Sequence, residues 1–202
     1  MTRGASLVRS ACGVAMLVAS IATVHAQAPA EFAGEPDKSM ASAGEALAKG
    51  DASKAAEYIG KAAAYVRAQE QKVAKDASIG LKKAADELDR LGAEVKKGAV
   101  KSADALKKTF AKTDHALATA WHATADQEQK AGKDASGALR SAGAGLENAA
   151  KWAGTKLDSG AQAAVDALNQ AERGARMGAE AVGRTIRGLG DGISDLGRRI
   201  GG

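Results

Sequence analysis

The sequence predicts an all-α protein: extended helical hairpins or a loose antiparallel helix bundle, ending in a C-terminal Gly-rich amphipathic helix with heptad spacing. Three observations predict it. The only prolines are Pro29 and Pro36, both near the start of the chain, and a proline inside a helix would break it. Alanine, the best helix former, fills 50 of 202 positions, with Lys, Glu and Leu abundant around it. Aromatic residues make up 3% of the chain, which argues against a sandwich or barrel built on aromatic and β-branched residues.

Residues 1–26 read as a secretory signal peptide. Arg3 and Arg9 supply a basic n-region, Ala11 to Val24 an apolar stretch, and Val24-His25-Ala26 the small residues that precede cleavage. The apolar stretch is shorter than the roughly 20 residues that span a bilayer. Cleavage after Ala26 is expected, and with it a periplasmic or secreted location. Cys12, the chain's one cysteine, lies ahead of most of the apolar stretch, with Arg9 where a lipobox needs Leu. Removal of residues 1–26 leaves 176 residues, 27 basic and 24 acidic, a net charge of +3. It also leaves no thiol for catalysis, disulfides or metal ligation. Absence of cysteine is compatible with an oxidising compartment.

Residues 27–38 read as a linker holding Phe32 and both prolines. Residues 39–130 read as helical hairpins. A first helix ends at Gly50, and Asp51 is placed to cap the next. There Ala55, Ile59, Ala62 and Val66 form one apolar face, with Tyr58 and Tyr65 on an adjoining stripe. Leu81, Leu88 and Val95 repeat every seven residues. Leu106, Phe110, Leu117 and Trp121 continue the stripe beyond a break expected near Lys97-Gly98. The flanking charge pairs, such as Lys82 with Asp86 and Asp86 with Arg90, contribute only tenths of a kcal/mol each, about 0.2–0.5.

Residues 131–172 read as helical but interrupted by glycine. A loop is expected around Gly132 with Asp134 as cap, then apolar stripes at Leu139, Leu146, Ala149 and Ala153, and at Leu157, Ala164 and Leu168. Glycines 132, 137, 143, 145, 154 and 160 are expected to weaken this part, at about 1 kcal/mol each where helical. Leu, Ile, Val and Phe together are only 32 of 202 residues, about 16%, so the core is expected to be thin. Lys75-Asp76-Ala77-Ser78 recurs 58 residues later as Lys133-Asp134-Ala135-Ser136, and Leu81 and Leu88 match Leu139 and Leu146. Duplication of a helical hairpin and coincidence in an Ala/Lys/Asp-rich chain both account for this. The first hairpin superficially resembles tetratricopeptide repeats, but their 34-residue period is absent.

Residues 173–202 differ in character. Every basic residue there is Arg. Val182, Ile186, Leu189, Ile193, Leu196 and Ile200 step four and three in alternation, an a/d heptad. Gly183, Gly190 and Gly197 recur every seven beside that seam. Glycines there let another surface approach closely, and they leave an isolated helix unstable in water. This stretch is therefore the expected interaction site, and three partners fit it: the protein's own bundle, a second copy of the chain, or a membrane surface.

No catalytic signature, cofactor motif or phosphate-binding loop occurs, so enzyme activity is not expected. Nucleic acid is not an expected partner, because the small net charge is interleaved with acids. His115 and His122, seven residues apart, share a helix face but lie about 10.5 Å apart along it, too far for one ion. His122 and Asp126 at i, i+4 make half of a metal site, and no third ligand is evident.

The Ala/Lys/Glu/Gly-rich helices over most of residues 40–170 resemble late-embryogenesis-abundant proteins and exchangeable apolipoproteins in composition. The characteristic 11-residue repeat is missing, and Trp121, Trp152, Phe110 and the tyrosines imply packing. Three functions follow as expectations. The first is a non-enzymatic exported helical protein that interacts with a membrane surface, an amphiphile or an envelope protein partner. The second is a stress-protective, largely disordered chain. The third is a small metal- or ligand-binding bundle using His115, His122 and Asp126.

Overall fold

A computed structural model of the chain describes residues 35–172 and 177–201. The expected signal segment and its cleavage site, residues 27–34 of the linker, and Arg173 and Arg176 lie outside the described residues. The described residues form helices joined by short turns, with no strand among them: α1 Glu35–Ala48, α2 Ala52–Glu70, α3 Ser78–Lys96, α4 Ala103–Lys130, α5 Ser136–Trp152, α6 Ser159–Glu172 and α7 Ala179–Gly201. The all-α expectation holds.

Local chemistry sets the boundaries. Four helices end on a glycine with positive φ: Gly50, Gly98, Gly132 and Gly154. In each case the following amide bonds back to a carbonyl five residues earlier, for example Asp51 N to Ala46 O at 2.9 Å and Lys133 N to Glu128 O at 2.8 Å. This is the Schellman closure, which a left-handed glycine permits. Gly132 and Gly154 therefore end helices rather than weakening them. Asp51 caps α2 by accepting from Lys54 N at 2.9 Å, as expected. Ser102 accepts from Ala105 N at the start of α4, and Asp158 from Ala161 N in α6. Asp134 accepts from Ser136 N at 2.9 Å. The linker reading of 27–38 runs too far: α1 starts at Glu35. Pro36 lies in its first turn, where a missing amide costs no hydrogen bond.

Helices α2 and α3 run antiparallel. Arg67 of α2 pairs with Asp86 and Asp89 of α3, while further back Ile59 faces Gly92. The long α4 is central and divides its faces between two buried clusters. Leu106, Phe110, Leu117 and Ala120 join the core of α1, α2 and α3, around Met40, Ile59, Leu81 and Leu88. Ala118, Trp121 and Ala125 join the core of α5, α6 and α7, around Leu139, Leu146, Leu189 and Leu196. The heptad residues Leu81, Leu88 and Val95 are fully buried, and so are Leu139 and Leu146, their matches 58 residues on.

A core poor in large side chains is filled by bringing backbones together. A methyl at Gly145 of α5 would come within 3.0 Å of Ala118 N and 3.1 Å of Asp114 O on α4. One at Gly143 would come within 3.0 Å of the Leu168 side chain of α6. These two glycines cost helix propensity but allow the close approach on which packing depends.

Candidate functional site

The sequence singles out α7, and the structure seats its apolar face inside the protein. Ile186, Leu189, Ile193 and Leu196 are buried, while Val182 and Ile200 pack against the same cluster half-exposed. Of the three partners that fit the seam, the protein's own bundle covers it here.

Two glycine rows flank that seam and serve different neighbours. Gly188 and Gly192 lie on α6. A methyl at Gly188 would approach Ala164 Cβ to 3.0 Å and Gly160 O to 3.1 Å, and one at Gly192 would overlap the Ala161 methyl outright. The heptad row Gly183, Gly190 and Gly197 lies on α4 instead, where it meets a second heptad row: Gln129, His122 and His115. A methyl at Gly183 would stand 3.4 Å from Gln129 Nε2, one at Gly190 3.1 Å from His122 Nε2, and one at Gly197 2.8 Å from His115 Nε2.

The rings bond where the glycines make room. His115 Nε2 is 2.8 Å from the carbonyl oxygen of Ile193, and His122 Nε2 is 2.8 Å from that of Ile186. A carbonyl only accepts, so each Nε2 carries the proton. Each acceptor lies four residues before a glycine of the row: Ile193 before Gly197, Ile186 before Gly190. Side chains on a helix lean toward its N-terminus and cover the preceding turn. Glycine at i+4 therefore uncovers the carbonyl at i, whose second lone pair takes the imidazole N–H. Two periodicities of seven, one of histidine and one of glycine, form one polar lock between α4 and α7.

This arrangement places the metal candidates differently from a metal site. The Nε2 atoms of His115 and His122 are engaged by α7, and Asp126 pairs with Lys130 at 2.5 Å. Among the described residues, no group of three or more His, Cys, Asp or Glu side chains is placed to hold a metal ion.

The outer face of α7 is charged but largely self-paired. Arg184 bonds Glu180 at 2.5 Å, Arg198 and Arg199 bond Asp195 at 3.2 and 2.8 Å, and Arg199 also donates to Thr155 Oγ1 and the Lys156 carbonyl. Beside the end of α7 a cleft of about 510 Å³ opens toward α4 and α5. Its floor includes Ala111, Trp152 and Ile200, and Lys107, Lys108 and Arg199 stand around it with Asp104.

A second polar cluster escaped the sequence reading. Asp114 of α4 is almost wholly buried, and its carboxyl faces that of Asp37 on α1. The Trp152 indole N–H donates to Asp37 Oδ1 at 2.9 Å, and its ring meets Phe110 edge-on at 5.1 Å between centroids. Burial, then the Asp37 charge, push the Asp114 carboxyl well above the usual aspartate range. Burial likewise raises Asp37, while the Trp152 hydrogen bond and Lys151 hold it down. The signal was hard to find because Asp37 lies in the stretch read as linker and Asp114 has the look of one more helix-surface acid.

No helix among the described residues is long and apolar enough to cross a membrane. In comparison with known proteins, no family model, no curated protein and no solved structure matches this chain.

Proposed function

We propose that this is a non-enzymatic exported helical protein that acts by helix-mediated interaction with an amphiphile or membrane surface, and that α7 is the helix that engages it. The observation that carries the reading is how α7 is held. Its apolar face is regular enough to serve a lipid surface as well as a core. Its attachment to α4 uses glycine fit and two histidine–carbonyl bonds, which net about 0.5–1.5 kcal/mol each. On such a surface the four buried side chains Ile186, Leu189, Ile193 and Leu196 would exchange one apolar contact for another. Net charge on α7 itself is small, so apolar burial rather than charge drives the association.

The test is flotation with phosphatidylglycerol-containing vesicles, using the chain from residue 27 onward. The chain is expected to float with the vesicles, and His115→Ala/His122→Ala is expected to float more, because α7 is held less firmly. A chain ending at Gln170, which lacks α7, is expected to stay behind. No flotation of the intact chain, or equal flotation of the shortened one, would overturn the proposal.

A further inference from the structure

We propose that Asp37 and Asp114 form a proton-operated clasp, in which one proton held between the two carboxyls keeps α1 docked on α4 and its loss lets α1 go. The argument begins with burial. Asp114 is 1% exposed, and its Oδ2 has no hydrogen-bond partner. A buried acceptor left unpaired is expensive, and a buried unpaired charge more so. Asp114 also lines a cavity of about 20 Å³, with Tyr65 of α2 and Asn148 of α5 among its walls, room for about one water. Among the described residues Asp114 has no ion pair, and the nearby Lys151 of α5 acts on Asp37.

Two facing carboxyls in such a place cannot both be ionised. With one proton between them, one acts as donor and the other as acceptor, and the pair carries a single negative charge. The Trp152 N–H, bonded to Asp37 Oδ1, and Lys151 accommodate that charge at its more open end. Without the proton, two charges repel across the α1–α4 contact, and the cheapest escape is for the less buried partner to move into water. That partner is Asp37, in the first turn of α1. Its departure would uncover the α1 face made by Met40, Ala43, Ala46 and Leu47, all buried here.

The linkage has a definite sign. Docked α1 holds one proton more than free α1 over the window between the ordinary aspartate value, about 4, and the raised value of the buried pair. Within that window the opening equilibrium rises about tenfold for each pH unit, and above it the dependence flattens. The titrating unit is the pair, not either residue.

Hydrogen-exchange protection factors for residues 38–48, which divide out the intrinsic pH dependence of exchange, measure this opening. Across pH 4 to 8 the wild-type protection of α1 is expected to fall by about tenfold per unit in part of the range, while α5 amides stay protected. Asp114→Asn, which keeps the shape and donates to Asp37, is expected to remove that slope. Should Asp114→Asn fail to fold, Asp37→Asn removes the facing charge and gives Asp114 a donor, so the sloping pH range is expected to shorten, while the burial of Asp114 keeps part of it. Independently, Gly44→Cys/Ala103→Cys joins α1 to α4: an ideal Cβ at Gly44 lies 3.9 Å from that of Ala103, within disulfide range. Its oxidised form is expected to hold protection constant with pH and its reduced form to behave as wild type. A flat wild-type profile, or an unchanged slope in the Asn variants, would overturn the clasp.

Discussion

His115 and Gly197 are complementary: the imidazole occupies the volume that a side chain at 197 would fill. A methyl there would stand 2.8 Å from Nε2, and the ring could not retreat without giving up its bond to the Ile193 carbonyl. Gly197→Ala is therefore expected to destabilise by about 1–3 kcal/mol, despite alanine's better helix propensity. His115→Ala is also expected to destabilise, through lost packing and the lost bond. The double variant is expected to cost less than the two single changes added together, because the methyl then fills space the ring has left. Urea melts of the four proteins give the coupling directly. Strict additivity would mean that the two residues do not share that volume.

A similar contrast separates glycines that fit from glycines that merely occur. Gly145→Ala would drive a methyl into the α4 backbone, within 3.0 Å of Ala118 N. Backbone cannot rotate aside, so α5 must move off α4 at a cost of about 1–3 kcal/mol. Gly60, exposed in the middle of α2, has nothing within 4 Å of its would-be Cβ. Gly60→Ala is expected to stabilise by about 0.5–1 kcal/mol. Thermal melts of both should shift in opposite directions.

Most of the fold was legible because it rests on local chemistry. Gly50 with Asp51, the break at Lys97-Gly98 and the loop at Gly132 are punctuation that a few residues define. Leu81, Leu88 and Val95 carried their own periodicity. What stayed hidden are relationships across long separations. Both heptads of the α4–α7 lock could be seen, His115 with His122 and Gly183 with Gly190 and Gly197. Nothing in the sequence says which surface a glycine row faces. Gly143 and Gly145 looked like helix weaknesses because propensity is read along the chain, whereas their value lies in the helices opposite. Asp37 and Asp114 are separated by 77 positions, and the packing of α1, α2 and α5 around α4 makes an ordinary surface acid into a buried one.

A hydroxyl of α4 ties down the connection between α2 and α3. Thr124 of α4 accepts from Ala74 N at 2.9 Å and donates to its own helix at the Ala120 carbonyl. Both residues are buried. Thr124→Val keeps the shape and leaves the Ala74 amide without its acceptor, so a loss of about 1–3 kcal/mol is expected. Thr124→Ser keeps the hydroxyl and is expected to cost less. Comparable losses for Val and Ser would point to the methyl rather than to the hydrogen bond.

The stability of the whole protein should carry the sign of its buried acids. A carboxyl raised by folding contributes stability that is full below the ordinary value of about 4 and lost as pH rises through the folded value. Asp114 and Asp37 are raised in this way; Glu128, half-buried, and Glu147, exposed, are raised as well but are screened by solvent. The opposing groups, Glu57 and Asp104, are held low by Lys61 and Lys107 in fully exposed pairs that solvent screens. The melting temperature is therefore expected to decline from mildly acidic toward neutral pH. Asp114→Asn is expected to raise it at pH 7 and to change it little near pH 4, where the wild-type pair already holds its proton. Calorimetric melts at both pH values check this. An equal shift at each would assign the effect to packing at position 114 instead of to its charge.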